Sequence, residues 1–363
     1  MIFVSVFLMV SAYLTTGSSQ QSCTWKGHEN APEVYYINMD TSVSRKNTIE
    51  RHLKEVKLPY IRVRGITPKE IYIPPDVDKT WLNRHCVLET SWNPNNASTI
   101  SPSAVPYDNH KFAMAAMCGR KKNTVKEIGC SVSHLYAMRE AIYSKTAKSP
   151  YALIVEDDVF FPFDIDFNAL AATAPTDFGI LQLFNSNQPS MRHIYDKYRR
   201  NNNNLWLKRN AASFEFWSTC AYLINREVMR PVIDAVVLTK RVPGVMEFKL
   251  AAGVTHPCTP SQCCTDPTKP NAFQVAPPCV YAPRGYQADS FLYAMTKTYM
   301  LSFPVITNGG GGNQSTFHQF HVELLHRNAF KQQREFVNEM LSGKIPTPPS
   351  VNKACNSMDV EFL

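Results

Sequence analysis

One segment constrains the fold of this chain more than any other. In residues 151–161, apolar residues lead directly into three consecutive acids, Glu156, Asp157 and Asp158. The apolar part is typical of a strand buried on both faces of a parallel sheet, and ligands of open α/β sheets bind at the carboxyl ends of such strands. Adjacent carboxylates repel one another, so the cluster favours a divalent cation such as Mn²⁺ or Mg²⁺. The alternative is a solvated acidic turn after a strand.

The apolar pattern around this segment predicts alternating strands and helices. A strand at 34–39, an amphipathic helix at 45–57 and a strand at 60–64 begin a βαβ unit. Further strands are predicted at 179–184, 220–224 and 299–306, and further helices at 130–143, 225–239, 287–297 and 322–341. The sequence therefore predicts an α/β fold with a mainly parallel central sheet flanked by helices.

Two segments interrupt this pattern. Residues 74–122 are rich in Pro, Asn and Ser, which predicts an irregular surface insertion. Residues 254–283 are rich in Pro and Cys, and they favour disulfides over a zinc site because no His pair accompanies the cysteines. We expect a single domain over 20–343 and a mobile, Pro-containing tail over 344–363.

The amino-terminal residues indicate the secretory pathway. An apolar run at 2–14 ends in small residues, so residues 1–19 are typical of a signal peptide. An uncleaved short anchor is the alternative, and it would be the only source of membrane contact. The ten cysteines and the glycosylation sequons at Asn96 and Asn313 agree with an oxidising lumen. We expect the lumen of the endoplasmic reticulum or Golgi, or secretion.

The formal net charge of +8 is spread along the chain and suits an anionic small ligand. The same excess of positive charge could attract nucleic acid. However, the sequence holds no zinc finger or RNA-binding motif, so no nucleic-acid partner is expected.

A series of short motifs then follows in a fixed order. The motifs are Tyr36-Ile37-Asn38-Met39-Asp40 with Arg45, residues 127–134, residues 152–158, residues 221–226 and residues 288–292. This series resembles glycosyltransferase family 25, which contains bacterial lipooligosaccharide galactosyltransferases and animal procollagen galactosyltransferases. The resemblance extends from about Val34 to Thr307, outside the two insertions.

The resemblance implies a GT-A nucleotide-sugar transferase fold and a UDP-sugar donor. It also implies a Mn²⁺ (or Mg²⁺) cofactor. The implied reaction transfers a hexose, galactose in particular, to a hydroxyl of a glycan or glycoprotein, with inversion at the anomeric carbon. Asp158 is the expected metal ligand, with Glu156 and Asp157 at the metal, its waters or the donor. His318 follows a glycine-rich loop and is a further candidate ligand of the metal. The alternative is that His318 and His321 are ordinary surface histidines.

The first motif is expected to meet the donor at a strand end. Asn38, Asp40 and Arg45 match the family there, and the Arg45 guanidinium suits a phosphate. Arg45 could instead pair with Asp40.

The second motif places Gly129, Cys130 and Ser133 at the expected start of a helix, where backbone N–H groups can bind an anion. With His134, Gly129 and Ser133 are expected to line the donor pocket. A packed, hydrogen-bonded structural role is the alternative for His134. Cys130 matches a family cysteine and is expected to be structural rather than nucleophilic.

Inverting transfer needs a general base for the acceptor hydroxyl. Asp289 matches the acid of the family's late motif and is the candidate. Its alternative role is that of an acid stabilised by the dipole at a helix N-terminus. Two other functions compete with this one. The first is that of a catalytically silent secreted relative that binds glycans or proteins. The second is that of a metal-dependent hydrolase, which is disfavoured because the sequence shows no recognisable nucleophile.

Overall fold

The computed structural model describes residues 23–67, 71–72, 88–92, 110–114, 125–186, 188–200, 204–209, 217–236, 240–242, 245–247, 288–309 and 320–355. The strands are β1 (Glu33–Asn38), β2 (Tyr60–Arg64), β3 (Ile71–Tyr72), β4 (Leu88–Trp92), β5 (His110–Met114), β6 (Tyr151–Glu156), β7 (Val159–Phe160), β8 (Phe163–Ile165), β9 (Ile180–Gln182), β10 (Trp206–Lys208), β11 (Ala221–Asn225), β12 (Lys240–Val242), β13 (Val245–Glu247), β14 (Thr298–Leu301), β15 (Thr307–Asn308) and β16 (Val351–Lys353). The helices are α1 (Val43–Glu55), α2 (Val125–Ile142), α3 (Phe167–Ala172), α4 (Gln188–Arg200), α5 (Arg226–Val236), α6 (Ala288–Phe291), which continues into a 3₁₀ turn (Leu292–Ala294), and α7 (Phe320–Leu341). Among these residues, no helix is both long and apolar enough to cross a membrane.

A seven-stranded sheet forms the centre of the molecule, in the order β10-β14-β9-β11-β6-β1-β2. Three neighbouring pairs are parallel, namely β1 with β2, β1 with β6, and β14 with β9. The other three are antiparallel, because β11 runs against β6 and β9, and β10 runs against β14. The α/β class is confirmed, but the sheet is mixed rather than mainly parallel. A continuous apolar run such as that of β11 indicates burial on both faces and carries no information on strand direction.

The order of strands reverses between β1 and β6. From β1 the chain passes through α1 to β2 on one side, and it later returns through α2 to β6 on the other. Since both pairings are parallel, the carboxyl ends of β1 and β6 lie side by side at one edge of the sheet. Such a reversal point is where open α/β sheets bind ligands.

Each face of the sheet carries its own hydrophobic core. In β1, Val34 and Tyr36 join one cluster, while Tyr35 and Ile37 join the other. This alternation follows from the two-residue period of a strand. The first cluster, which includes residues of α1, α3 and α7, is here called the α1 face, and the second, which includes residues of α2, α5 and α6, is called the α2 face.

A smaller five-stranded sheet has the order β12-β13-β5-β4-β3. Its strands β4 and β5 pair in antiparallel fashion, with Leu88 opposite Met114. Both lie inside the 74–122 segment, so the expectation that this segment is wholly irregular is wrong. Short strands with little apolar alternation give a weak pattern, and their pairing depends on partners distant in sequence.

The two ends of the described chain are joined. Cys23 and Cys355 form a disulfide, and the Thr24 N–H donates to the Ala354 carbonyl at 2.8 Å. Nearby, β16 pairs with β8 in antiparallel fashion. The prediction of a mobile tail is therefore wrong for residues 344–355, whose prolines precede a paired strand.

Several sequence predictions lie outside the described residues. They concern the signal peptide over 1–19, the sequons at Asn96 and Asn313, the Cys-rich segment over 254–283, and His318. For His321, the backbone lies in α7 and the side chain is not described.

Candidate active site

The three acids lie at the reversal point of the central sheet. Glu156 ends β6, and Asp157 and Asp158 form the turn into β7. Because β11 is antiparallel to β6, its amino end reaches the same edge, with Ala221 opposite Val155. The Glu156 N–H donates to the Cys220 carbonyl at 2.9 Å, which extends this ladder by one residue. The backbone of the acidic segment is thus held by a rigid sheet.

Glu156 is held by two polar neighbours. The Thr219 hydroxyl donates to its Oε1 at 2.9 Å, and His134 Nε2 lies 3.5 Å from the same oxygen. Burial acts to raise the pKa of Glu156, but the hydrogen bonds and charge of His134, with the Thr219 hydroxyl, hold it below its usual value. The side chain keeps 32% exposure, so an ionised carboxylate faces the edge of the sheet.

Asp157 turns inward. Asn38 Nδ2 donates to its Oδ2 at 2.6 Å, and Arg45 Nε lies 3.4 Å from its Oδ1. Burial raises the pKa of Asp157, although Arg45 and Asn38 act in the opposite direction. Arg45 thus pairs with Asp157 and not with Asp40. Asn38 is only 1% exposed, so its amide positions the turn, and its contact with a donor stays a prediction.

Asp158 is the least satisfied of the three acids. Its Oδ1 is buried and has no hydrogen-bond partner among the described residues. Burial, followed by the charges of Glu156 and Asp157, raises the pKa of Asp158 to about 7. The Gly309 N–H donates to the Asp158 carbonyl at 2.6 Å, and a side chain at Gly309 would meet this carbonyl at 3.4 Å. The strand β15 therefore lies directly against the acidic turn.

The site fits a divalent cation. Glu156, Asp158 and Cys220 each present one ligand atom, and these atoms lie within 4.8 Å of one another. An orphaned, buried carboxylate oxygen beside a second carboxylate is the arrangement that a cation stabilises. Sequence reasoning missed Cys220, because its place beside Glu156 depends on the antiparallel pairing of β11. The only sequence signal was a cysteine at the start of a strand.

Two arginines that sequence reasoning missed lie beside the first motif. Arg62 Nη2 lies 2.5 Å from Asp40 Oδ1, and Arg64 Nε lies 2.9 Å from Asp40 Oδ2. Arg62 Nε also donates to Asn38 Oδ1 at 3.1 Å. Their alternating positions at the carboxyl end of β2 were the available signal, since both then share one face of the strand. Two guanidinium groups thus share the single Asp40 carboxylate, which leaves positive charge in excess beside this residue.

The second motif lies inside a helix and not at its start. Because α2 begins at Val125, the N–H of Gly129 is no longer one of the free N–H groups of the first turn. The Ser133 hydroxyl donates to the Gly129 carbonyl at 2.7 Å and accepts from the Ile66 N–H at 2.8 Å. The premise of an anion site at Gly129 is therefore wrong, and Ser133 joins α2 to the segment after β2.

His134 has the packed, hydrogen-bonded surroundings of its alternative role, and its contact with a donor stays a prediction. The ring is 1% exposed, and Nδ1 lies 3.0 Å from the Tyr222 hydroxyl. Its other nitrogen is the one near Glu156. The histidine is thus a packed group that also orients an acid of the site.

Asp289 lies in the first turn of the short helix α6. Its Oδ2 accepts the Ser218 N–H at 3.3 Å, and its backbone carbonyl accepts Arg209 Nη1 at 2.6 Å. Burial, and then the charges of Glu156 and Asp289, raise the pKa of the Cys130 thiol, so both acids act on one buried group. Asp289 is therefore brought to the same region as the acidic turn, beside the segment that leads into β11.

That segment is held in a strained backbone. Ser218 has a positive φ of 89°, which is uncommon for a residue with a side chain. The Tyr293 hydroxyl donates to its carbonyl at 2.8 Å, and Gln182 Nε2 donates to the same oxygen at 3.2 Å. Such strain persists only where the surroundings fix the backbone, and it is concentrated at functional sites.

An α/β fold with acids at a sheet reversal point is typical of proteins that bind a ligand at that edge of the sheet. The family model described as glycosyltransferase family 25 (LPS biosynthesis protein) matches residues 31–243, more than half of the 363 residues. The chain belongs to glycosyltransferase family 25, and the resemblance seen in its motifs is confirmed. The protein is therefore a glycosyltransferase, which uses a sugar donor and an acceptor. Among curated proteins, none matches this sequence.

Proposed function

We propose that the protein is a metal-dependent, inverting glycosyltransferase with a GT-A fold. It moves a hexose, galactose in the first instance, from a UDP-sugar to a hydroxyl of a glycan or glycoprotein in the secretory pathway. The observation that carries the proposal is the pair of acids, Glu156 and Asp158, whose carboxylate oxygens converge at the reversal point of the sheet. Family membership supports glycosyl transfer, and the acids support the metal.

Glu156 and Asp158 hold the ion, for which Mn²⁺ is the first candidate and Mg²⁺ the second. The ion supplies neutralisation of the diphosphate as the donor bond breaks. Asp157 plays a different part, because its carboxylate is occupied by Asn38 and Arg45. It fixes the turn and holds the Arg45 guanidinium at the sheet edge.

The guanidinium groups of Arg45 and Arg62 bind the donor diphosphate. The side chains of Arg45 and Arg62 are 19% and 27% exposed, so both reach solvent at the carboxyl ends of β1 and β2. Guanidinium–phosphate hydrogen bonds are charge-assisted and directional. Arg62 keeps an orientation set by Asp40 and Asn38.

Asp289 accepts the proton of the acceptor hydroxyl. As the hydroxyl oxygen bonds to the anomeric carbon, the bond from that carbon to the diphosphate breaks and the proton passes to Asp289. The Ser218 N–H on Oδ2 orients the carboxylate, and Arg209 holds the backbone of the same residue. Residues 218–220 therefore contact both the base, through the Ser218 N–H, and Glu156, through the Thr219 hydroxyl and the Cys220 carbonyl.

The Cys23–Cys355 disulfide supports the secretory location, since such bonds persist in oxidising compartments. Secretory proteins also meet the glycan and glycoprotein acceptors proposed here.

The proposal is tested by donor hydrolysis with purified protein against a panel of sugar nucleotides, with Mn²⁺ and with chelator. Metal-dependent release of nucleotide from one donor is expected, with UDP-galactose the first candidate. A donor other than UDP-galactose would keep the reaction and change the sugar. No turnover, together with no shift in melting temperature with any donor and metal, would leave the silent binding protein as the better description.

Asp289→Asn separates the base from the donor site. The amide keeps the shape and an acceptor for the Ser218 N–H, but it cannot take the proton. We expect transfer to an acceptor to fall by about 10²–10⁴-fold, the usual contribution of a general base, with donor affinity nearly unchanged. Isothermal titration with UDP-sugar checks the second part. Loss of donor affinity would instead make Asp289 part of the donor pocket.

A further inference from the structure

We propose that Cys220 is the third protein ligand of the metal, which makes the site a mixed oxygen–sulfur site. This inference rests on the proposed function and deepens it by naming the class of ion. A thiolate beside two carboxylates favours Zn²⁺, Co²⁺ and Fe²⁺ over Mg²⁺ and Ca²⁺, and it favours Mn²⁺, the weakest binder of these transition ions, to a smaller extent.

The sheet itself directs the thiol to the acids. Since Ala221 pairs with Val155, Cys220 lies opposite Glu156 in the antiparallel ladder. The hydrogen bond from the Glu156 N–H to the Cys220 carbonyl, at 2.9 Å, fixes that register. Residues directly opposite in such a ladder project from the same face of the sheet, with their Cβ atoms about 4.5–5.5 Å apart. The positions of sulfur and carboxylate are therefore set by backbone and not by a mobile loop.

The distances suit a single ion. The Cys220 sulfur and the oxygens of Glu156 and Asp158 lie within 4.8 Å of one another. Metal–sulfur bonds of about 2.3 Å and metal–oxygen bonds of about 2.0–2.2 Å place two ligand atoms no more than about 4.5 Å apart. Three atoms at that separation lie about 2.8 Å from their common centre, so side-chain shifts of about 0.5–0.8 Å bring all three within bonding distance of one ion.

The Asn308 side chain hydrogen-bonds to the Asp158 carboxylate, but one of the two carboxylate oxygens is left over. Asp158 Oδ1 is buried without a hydrogen-bond partner among the described residues, next to a second carboxylate. A cation supplies the direct partner that this carboxylate oxygen lacks among the described residues. On binding, the S–H bond of Cys220 breaks, its proton leaves to water, and the sulfur electron pair forms the bond to the ion. No oxidant or reductant takes part.

Cys130 provides a matched control. Like Cys220, it is a free cysteine with intermediate exposure, and burial, together with the charge of Glu156, raises the pKa of its thiol. Its sulfur, however, is not one of the three atoms that converge. A test that separates Cys220 from Cys130 therefore separates ligation from general thiol chemistry near the site.

The experiment is a Co²⁺ titration of the purified full chain, followed by absorption spectroscopy. A bound thiolate gives a sulfur-to-cobalt charge-transfer band in the near ultraviolet, which a site of oxygen ligands alone does not give. We expect the band in the unmodified protein and in Cys130→Ser, and its loss in Cys220→Ser. Cobalt affinity should fall by at least about 10-fold in Cys220→Ser, and the preference for Mn²⁺ over Mg²⁺ should narrow.

Cys220→Asp distinguishes loss of the sulfur ligand from loss of folding as the cause of a missing band. The carboxylate restores a ligand of oxygen type, so Co²⁺ should bind without the charge-transfer band. If Co²⁺ binds in a manner that depends on Asp158 while the band is absent from the unmodified protein, Cys220 is not a ligand and the acidic site stands. If Cys220→Ser keeps the band, the ligand sulfur is another cysteine. If neither Co²⁺ nor Mn²⁺ binds at all, the metal dependence of the proposed function fails together with this inference.

Discussion

Two buried histidines hold the acidic turn from opposite faces of the central sheet. On the α1 face, His52 Nε2 accepts the Phe161 N–H at 2.9 Å, and its ring stacks on Phe160 with centroids 4.3 Å apart. On the α2 face, His134 lies between Glu156 and the Tyr222 hydroxyl. One histidine therefore holds the chain just after the acids, and the other holds the first acid itself.

The surroundings of the two rings differ in polarity. Burial, and to a smaller extent the charge of Arg51, lower the pKa of His52 to about 3, so this ring is neutral and packs as an aromatic group. Among the described residues, the acid that lies near this ring is the exposed Glu55, with His52 Nδ1 3.6 Å from Glu55 Oε2. His134 instead meets an acid that lies at the edge of the sheet. One turn is thus fixed by apolar packing on one side and by a polar contact with an acid on the other.

The largest effect is expected from replacing Asp158, which lies in the turn between the residues that His134 and His52 contact. Asp158→Asn keeps the shape of the side chain but removes a charged metal ligand. We expect Mn²⁺ affinity to fall by more than about 100-fold, because even the loss of a residue that only hydrogen-bonds to a metal ligand costs about 10–100-fold. Because the change also relieves repulsion with Glu156 and Asp157, the metal-free variant should be at least as stable as the unmodified protein. Manganese titration by electron paramagnetic resonance and thermal unfolding check the two parts. Unchanged Mn²⁺ affinity would remove Asp158 from the metal site.

A smaller effect on the metal is expected at His134. His134→Phe keeps a ring in the pocket but leaves Glu156 without one of its partners, so Mn²⁺ affinity should fall by about 10–100-fold. His134→Gln can still donate a hydrogen bond and should recover part of the loss. The same titration measures both variants.

Tyr222→Phe is the control for His134, since it removes only the hydroxyl on the far side of the ring. It should cost about 1 kcal/mol of stability, the usual value of one hydrogen bond, with little change in Mn²⁺ affinity. Equal losses of Mn²⁺ affinity in Tyr222→Phe and His134→Phe would show that packing, and not the contact with Glu156, holds the acid.

At His52 the expected change is in acid stability and not in metal binding. The folded-state pKa of about 3 lies below the ordinary value of 6.5, so the unfolded chain takes up the proton first as the pH falls. The stability is present above pH 6.5 and is lost towards pH 3, with about 2 kcal/mol lost between pH 7 and pH 5. Urea unfolding at both values measures this loss.

His52→Gln removes the titration while keeping an oxygen that can accept the Phe161 N–H. The difference in unfolding free energy between pH 7 and pH 5 should therefore shrink by about 2 kcal/mol in this variant. An identical pH dependence in the two proteins would show that His52 does not resist protonation.

Sequence reasoning located the first βαβ unit and the acidic turn, because both depend on local patterns. The strand β2 lies at Tyr60–Arg64 as predicted, and the three acids lie at the carboxyl end of β6. The expected helix of the second motif was placed too far along the chain. Its first turn begins at Val125, where the apolar spacing is weak.

The remaining features depend on pairings between distant residues. The direction of β11 decides that Cys220 lies beside Glu156, and no property of the local sequence encodes that direction. In the same way, the contact between Phe161 and His52 joins residues 109 positions apart. Residue chemistry can be seen in a sequence, but the meeting of two such residues is a property of topology.

The disulfide between Cys23 and Cys355 has a further consequence, since it spans 332 positions of the chain. Covalently, the residues between them form a ring. A protease that cuts once within the ring leaves every residue attached to the same molecule, and the two fragments separate only after reduction. Because Cys355 leaves the ribosome long after Cys23, the ring closes only when synthesis of this region is complete, and every earlier folding step takes place in an open chain.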